Sequence, residues 1–116
     1  MKRIAIAVLA CMTVSCKSTG DIQARPAIAD YVSQKPVTDI ATCISLALAD
    51  RGGSAKMART ETGVTLSESI PVAGISSVVA VVAIDDAQSH RTITIHSVGK
   101  APKDRTKLDA IYRPCL

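Results

Sequence analysis

Residues 76–84 read Ser-Ser-Val-Val-Ala-Val-Val-Ala-Ile, and this stretch decides the fold. Its β-branched side chains follow one another without the polar alternation of a half-exposed strand. Such a run is typical of a central strand that is covered on both faces. We therefore expect a sheet that is built around residues 76–84.

Three other stretches predict the neighbouring strands. Residues 56–60 and 64–69 show period-two patterning, and the glycine of Glu61-Thr62-Gly63 between them favours a tight hairpin. Residues 91–98 alternate isoleucine with threonine and histidine, which is typical of an outer strand with one buried face. Together with residues 76–84, they predict a four-stranded antiparallel meander.

Helices are predicted on both sides of these strands in the chain. Residues 36–51 carry apolar side chains at spacings of three and four, and residues 100–113 carry a narrower apolar stripe that Pro114 ends. The expected architecture is α-β-β-β-β-α, an α+β two-layer sandwich with its helices mainly on one face. It forms one small domain over residues 36–116.

Both faces of the central strand carry aliphatic side chains, yet two helices on one side cover only one of them. The opposite face has three interpretations. It is a docking surface for a protein or membrane, or residues 22–32 fold back over it, or the sheet curls on itself.

The amino terminus has the three parts of an export signal. Met1-Lys2-Arg3 is basic, and residues 4–14 are apolar but far shorter than the roughly 20 residues of a membrane-spanning helix. Thr13-Val14-Ser15-Cys16 resembles the lipobox of bacterial lipoproteins. The resemblance implies that residues 1–15 are a removed signal peptide and that Cys16 is the lipid anchor. Lys17, in place of a retention aspartate, implies the outer membrane, with the protein facing the periplasm.

Other readings of this signal stay open. Val8-Leu9-Ala10-Cys11 is a rival lipobox, although it leaves a very short apolar region after Arg3. An ordinary secretory signal that is cut near Gly20, without lipid, is the second alternative. A cytoplasmic protein is the third.

The four cysteines help to choose between the two lipobox registers. Cleavage before Cys16 discards Cys11 and leaves Cys43 and Cys115, whereas cleavage before Cys11 leaves three thiols, one of them unpaired. We therefore expect a disulfide between Cys43 and Cys115, which would tie the first helix to the end of the chain. Such a bridge is valuable here, because a chain without Phe or Trp has a purely aliphatic core apart from two tyrosines.

Residues 16–35 are predicted to be the acylated cysteine and a flexible tether. The stretch mixes Ser, Thr, Gly, Asp, Gln and Pro with isolated apolar residues. In a lipoprotein, such a tether would hold the folded domain clear of the lipid headgroups.

Few residues in the sequence are candidates for catalysis or metal binding. Asp85, Asp86, His90 and His96 cluster in sequence, but their spacing fits no familiar metal or proton-transfer site, and a polar turn with an exposed strand histidine is the favoured explanation. The chain has no Gly-x-Ser-x-Gly motif and no Cys-His arrangement for a nucleophile. We predict no catalytic, cofactor-binding or metal-binding residues, and hence not an enzyme.

Charge narrows the classes of partner. The formal net charge of +4 falls to +2 once Lys2 and Arg3 leave with the signal, so nucleic acid is not an expected partner. No small-molecule substrate is evident.

The expected partners are the membrane, through the lipid anchor, and an envelope protein. The expected function is that of a non-catalytic envelope lipoprotein that binds such a protein or supports an envelope assembly. The alternative is an inhibitor or exclusion lipoprotein that acts on a hydrolase, phage or conjugation partner through the loop of residues 85–90.

Overall fold

A computed structural model describes residues 19–116, so the expected signal peptide and Cys16 lie outside the described residues. Eight regular elements and a final 3-10 turn, Arg113–Cys115, follow one another along the chain. The helices and strands are α1 (Thr19–Gln23), β1 (Ala29–Ser33), α2 (Val37–Asp50), β2 (Ser54–Arg59), β3 (Gly63–Val72), β4 (Ile75–Asp86), β5 (Arg91–Ser97) and α3 (Thr106–Tyr112).

The strands form one antiparallel sheet in the order β1-β5-β4-β3-β2. The α+β class is confirmed, and so is the antiparallel meander of β2, β3, β4 and β5. The β-branched stretch of residues 76–84 lies in the central strand β4. The predicted strand number is wrong, because β1 adds a fifth strand beside β5, with Tyr31 opposite Ile93. The architecture therefore contains two elements, α1 and β1, that precede the predicted first helix.

Strand β1 also corrects the extent of the flexible tether. Its side chains alternate between buried and exposed, and Tyr31 is only 6% exposed. The sequence signal is weak because the strand is five residues long, has a single β-branched residue and lies between Pro26 and Pro36. Among the described residues 19–35, helix α1 and strand β1 are part of the folded domain.

The main core lies between the sheet and α2, with α3 beside it. Helix α2 buries the face that its periodicity predicts, through Ile40, Ala41, Ile44 and Leu48. This face packs on the inward side chains of β3, β4 and β5, which are Val64, Leu66, Val82, Ile84, Ile93 and Ile95. Burial of apolar surface contributes about 25 cal/mol per Å², so this aliphatic layer is the main source of stability.

The opposite face of the sheet is partly covered by α1. Ile22 of α1 and Val81 of β4 are both fully buried, and neither belongs to the core under α2. Thr19 Oγ1 lies 3.3 Å from Ser67 Oγ on β3, and the Arg25 carbonyl lies 2.8 Å from His96 Nδ1 on β5. Of the three interpretations of this face, the structure supports the folding back of the segment that includes Ile22.

The carboxyl-terminal helix is shorter than predicted. Residues 100–113 were expected to be helical, but α3 begins only at Thr106. Pro102 disfavours helix in the residue before it, and Asp104 Oδ1 accepts hydrogen bonds from the amide (2.9 Å) and hydroxyl (2.6 Å) of Thr106. These two hydrogen bonds hold the pKa of the Asp104 carboxyl below its ordinary value. Asp104 therefore satisfies a free amide at the start of α3.

Candidate functional site

A groove of about 630 Å³ lies between α2 and the edge of the sheet. Its walls are the first two turns of α2, the outer strand β2 and the β2–β3 turn, with the end of β4 and the β4–β5 loop at one side. We call it the α2 groove. Its lining residues are Val37, Thr38, Ala41, Thr42, Met57, Arg59, Thr60, Glu61, Thr62, Gly63, Val64, Asp86 and Gln88.

The centre of the groove is apolar, and Met57 is its most exposed apolar residue. Met57 pairs with the fully buried Leu66, so its side chain is on the same face of the sheet as α2. Helix α2 contacts β2, β3 and β4, but it does not cover Met57 of β2, which stays 49% exposed. An unbranched thioether side chain in such a place adapts its shape to varied apolar partners.

The backbone beside Met57 has an open hydrogen-bonding edge. Thr60 donates its amide to the Gly63 carbonyl at 3.0 Å, which fixes the alternation of hydrogen-bonded pairs along β2. Counting back from Thr60, the amides and carbonyls of Ala55, Met57 and Arg59 point away from β3. Within residues 19–116, no strand pairs with this outer edge of β2. A segment of another chain can therefore add to the sheet there.

Charged groups of both signs border the apolar centre. Arg59 and Glu61 lie along β2 and its turn, and Asp86 lies on the opposite side. Both signs at the border favour specific placement of a polar polypeptide over a general attraction to anions.

The β4–β5 loop beside the groove is held in one shape by Arg91. Its guanidinium donates to Asp86 Oδ1 (3.2 Å) and the Gln88 carbonyl (3.1 Å), and also to the carbonyls of Gln34 (3.0 Å) and Lys35 (2.8 Å). Gln88 has a left-handed φ of 74°, which these bonds support. The loop is therefore ordered before any partner binds.

The four polar residues that sequence analysis singled out do not form one site. Asp85 Oδ1 accepts a hydrogen bond from Thr62 Oγ1 at 2.7 Å, and Asp86 pairs with Arg91. His90 Nδ1 lies 2.9 Å from the Ser89 hydroxyl, whereas His96 is on the α1 face of the sheet. In the part of the chain from Thr19 onward, no group of three or more His, Cys, Asp or Glu residues could hold a metal ion.

Sequence analysis missed a buried carboxylate, Glu68. It is 3% exposed, and Oε2 lies 3.7 Å from Arg51 Nε and has no hydrogen-bond partner within residues 19–116. Burial raises the pKa of Glu68, and the positive charge of Arg51 opposes part of that shift. The available signal was the period of two along β3, which puts Glu68 on the same face as Val64 and Leu66.

The expected disulfide is confirmed. Cys43 of α2 and Cys115 of the final 3-10 turn are bonded, with 5.5 Å between their Cα atoms. Cys115 is buried, and the bridge joins α2 to the end of the chain at the edge of the main core. The bridge does not line the α2 groove.

Comparisons with family models, with curated proteins and with solved structures gave no match to this chain. Among the described residues, none of the helices has both the length and the apolar character needed to cross a membrane.

Proposed function

We propose that this protein is a small non-catalytic envelope lipoprotein that binds an extended segment of another envelope protein in the α2 groove. Cys16 is its lipid anchor, at the outer membrane and facing the periplasm. The observation that supports binding is the half-exposed Met57 beside the outward-facing backbone of β2.

The partner segment binds as an added strand. Its backbone pairs with Ala55, Met57 and Arg59, and every second side chain points into the α2 groove. Main-chain hydrogen bonds supply affinity, and an aliphatic side chain against Met57 and Val37 supplies selectivity. The charges at the border orient the segment.

Photocrosslinking in intact cells tests this site. A photoreactive amino acid replaces Met57 in the full chain, and the matched control replaces Leu46, which is on the exposed side of α2 and is 64% exposed. We expect one discrete protein adduct from position 57 and none from position 46. Adducts of equal yield from both positions, or none from position 57, would contradict the proposal.

A second variant pair tests the role of the apolar contact. The photoreactive group moves to Thr38, which also lines the α2 groove. Met57→Lys should remove the adduct, whereas Leu46→Lys should keep it. Both side chains are exposed, so neither change should alter the free energy of unfolding by more than about 0.5 kcal/mol.

Anchoring has its own test. Metabolic labelling with a clickable fatty acid should mark the wild-type protein and not Cys16→Ala, which should stay unprocessed in the inner membrane. Normal processing and release of Cys16→Ala would exclude the lipid anchor without bearing on the α2 groove.

The ordering of the β4–β5 loop by Arg91 favours a second candidate function, an inhibitor whose loop enters the cleft of a hydrolase or of a phage or conjugation factor. A rigid loop loses little entropy on binding. If this candidate holds, Gln88→Ala should remove partner binding and Met57→Lys should not. The reverse result favours strand addition.

A further inference from the structure

The β3–β4 hairpin extends beyond the rest of the sheet. Pairing of β2 with β3 ends at Ser69, and pairing of β5 with β4 ends at Ala80. Residues 70–78 therefore project as a two-stranded ribbon, which we call the ribbon. A register shift after Glu68 marks the place where it leaves the sheet.

The tip of the ribbon is apolar and uncharged. Val72 is 50% exposed and Ile75 is 68% exposed, on either side of the turn residues Ala73 and Gly74. No charged residue occurs from Ser69 to Ile84. Two exposed apolar side chains side by side, with no charge near them in the sequence, form a candidate contact with a membrane or a protein.

The backbone of the tip suits a shallow position at a membrane surface. Ala73 and Gly74 both have positive φ values, of 53° and 80°, as in a tight two-residue hairpin turn. Antiparallel pairing of Val72 with Ile75 continues up to the turn. Few backbone groups at the tip then lack a hydrogen-bond partner in the ribbon. Because the headgroup region contains water, these few groups can bond to water there.

The described start of the chain lies beside the middle of β3, three residues before the ribbon begins. Thr19 Oγ1 is 3.3 Å from Ser67 Oγ, near the base of the ribbon. Cys16 is three residues before Thr19, so the two are separated by at most about 11 Å of chain. Five residues of strand from Ser67 to Val72 span about 17 Å. From Thr19, this length of chain together with an acyl chain is enough to bring the ribbon tip within reach of the membrane that holds the lipid.

We infer that the ribbon tip, through Val72 and Ile75, enters the lipid–water interface of the leaflet that holds the Cys16 lipid. The inference rests on the lipid anchor of the proposed function. The acyl chains supply the membrane affinity, and the tip supplies a second contact that fixes the orientation of the domain. Because few residues separate Cys16 from the folded domain, anchoring raises the effective concentration of the tip at the membrane surface.

This orientation has a consequence for the α2 groove. Strand β3 runs from Gly63, which lines the groove, to Val72 at the tip of the ribbon. Ten residues of strand separate the two ends by about 30 Å. With the tip at the membrane, the groove points away from the lipid toward proteins of the periplasm.

Tryptophan fluorescence tests the inference directly, because the chain contains no tryptophan. Ile75→Trp and the control Leu46→Trp are made in the full chain, and the lipidated proteins are reconstituted in phospholipid vesicles with brominated acyl chains. We expect blue-shifted emission and severalfold stronger quenching for Ile75→Trp than for Leu46→Trp. In the Ile75→Trp background, Val72→Asp should weaken the quenching and Met57→Asp should not.

The outcomes separate this inference from the proposed function. Mass spectrometry of the purified protein first reports the acyl groups on Cys16, and their absence would overturn both the anchor and this inference. Acylated protein with equal quenching at the two positions would overturn the inference alone and leave the α2 groove in place. A photocrosslink from position 75 to a protein instead of to lipid would also overturn it.

Discussion

Tyr31 donates a hydrogen bond of 2.7 Å from its hydroxyl to Asp109 Oδ1, which joins strand β1 to helix α3 across 78 residues of sequence. Its ring lies 5.8 Å from that of Tyr112, and the guanidinium groups of Arg105 and Arg113 lie within 5.7 Å of its centre. The hydrogen bond from Tyr31 holds the pKa of Asp109 below its ordinary value. The first and last parts of the domain are thus joined directly.

Removal of the Tyr31 hydroxyl should weaken this junction. We expect Tyr31→Phe to lower the free energy of unfolding by about 1 kcal/mol, the usual net value of one hydrogen bond. Urea unfolding of Tyr31→Phe, Asp109→Ala and the double variant gives their coupling energy. If the two single losses simply add, the hydrogen bond contributes nothing.

Ile22 should behave as a core residue, although sequence analysis puts it in a tether. Ile22→Ala removes a fully buried side chain of α1, a helix that contacts β4, so it should lower the free energy of unfolding by about 2–5 kcal/mol. The neighbouring Gln23→Ala is the control, because Gln23 is exposed and its loss should cost less than about 0.5 kcal/mol. Equal urea midpoints for the two variants would show that α1 is not held against the sheet.

The sequence predicted the elements whose patterns are strong and local. The β-branched run of β4 and the apolar spacing of three and four in α2 predicted nearly the observed first and last residues of these elements. Burial of both faces of a strand, or of one face of a helix, requires a regular pattern of apolar residues in the sequence. The pairing of Cys43 with Cys115 was predicted correctly, because only these two cysteines remain as partners once Cys11 is removed and Cys16 is acylated. Neither result needed knowledge of distant contacts.

The missed features depend on contacts between distant residues. Strand β1 is too short for a clear period, and its place beside β5 depends on the packing of Tyr31 against α3. The α2 groove results from incomplete cover of Met57 by α2, which no single stretch of sequence encodes. Glu68 looks like an ordinary polar strand residue until it is known that the face it shares with Leu66 is buried.

Loss of the disulfide should destabilise the domain substantially. The bridge closes a loop with a sequence separation of 72, for which chain entropy predicts about 4 kcal/mol. We expect Cys43→Ser and Cys115→Ser each to lower the free energy of unfolding by about 2–5 kcal/mol, and the double variant to be no worse than either, because one crosslink is lost in every case. Thiol counting on unfolded, unreduced protein provides the check, and two reactive thiols would contradict the bridge.

Glu68 should make the domain less stable as pH rises. Burial raises its pKa in the folded state above the ordinary value of 4.5, so the folded protein holds this proton more tightly than the unfolded chain. The stability contribution is fully present below pH 4.5 and is lost as pH rises through the folded-state pKa. Asp104 and Asp109 have lowered pKa values in the folded state, so the stability that they contribute is lost as pH falls. This opposite effect lies at lower pH than that of Glu68.

Substitution of Glu68 isolates this effect. Glu68→Gln should remove the fall in stability that accompanies a rise of pH above 4.5, and it should be at least as stable as the wild type near neutral pH, because no ionised carboxylate is then buried. Arg51 compensates little, since its side chain is 46% exposed and 3.7 Å away. Glu61→Gln, in the exposed β2–β3 turn, makes the same change of charge and should keep the wild-type slope. Urea unfolding across this range measures all three proteins, and a wild-type stability that is flat with pH would mean that Glu68 is solvated in solution.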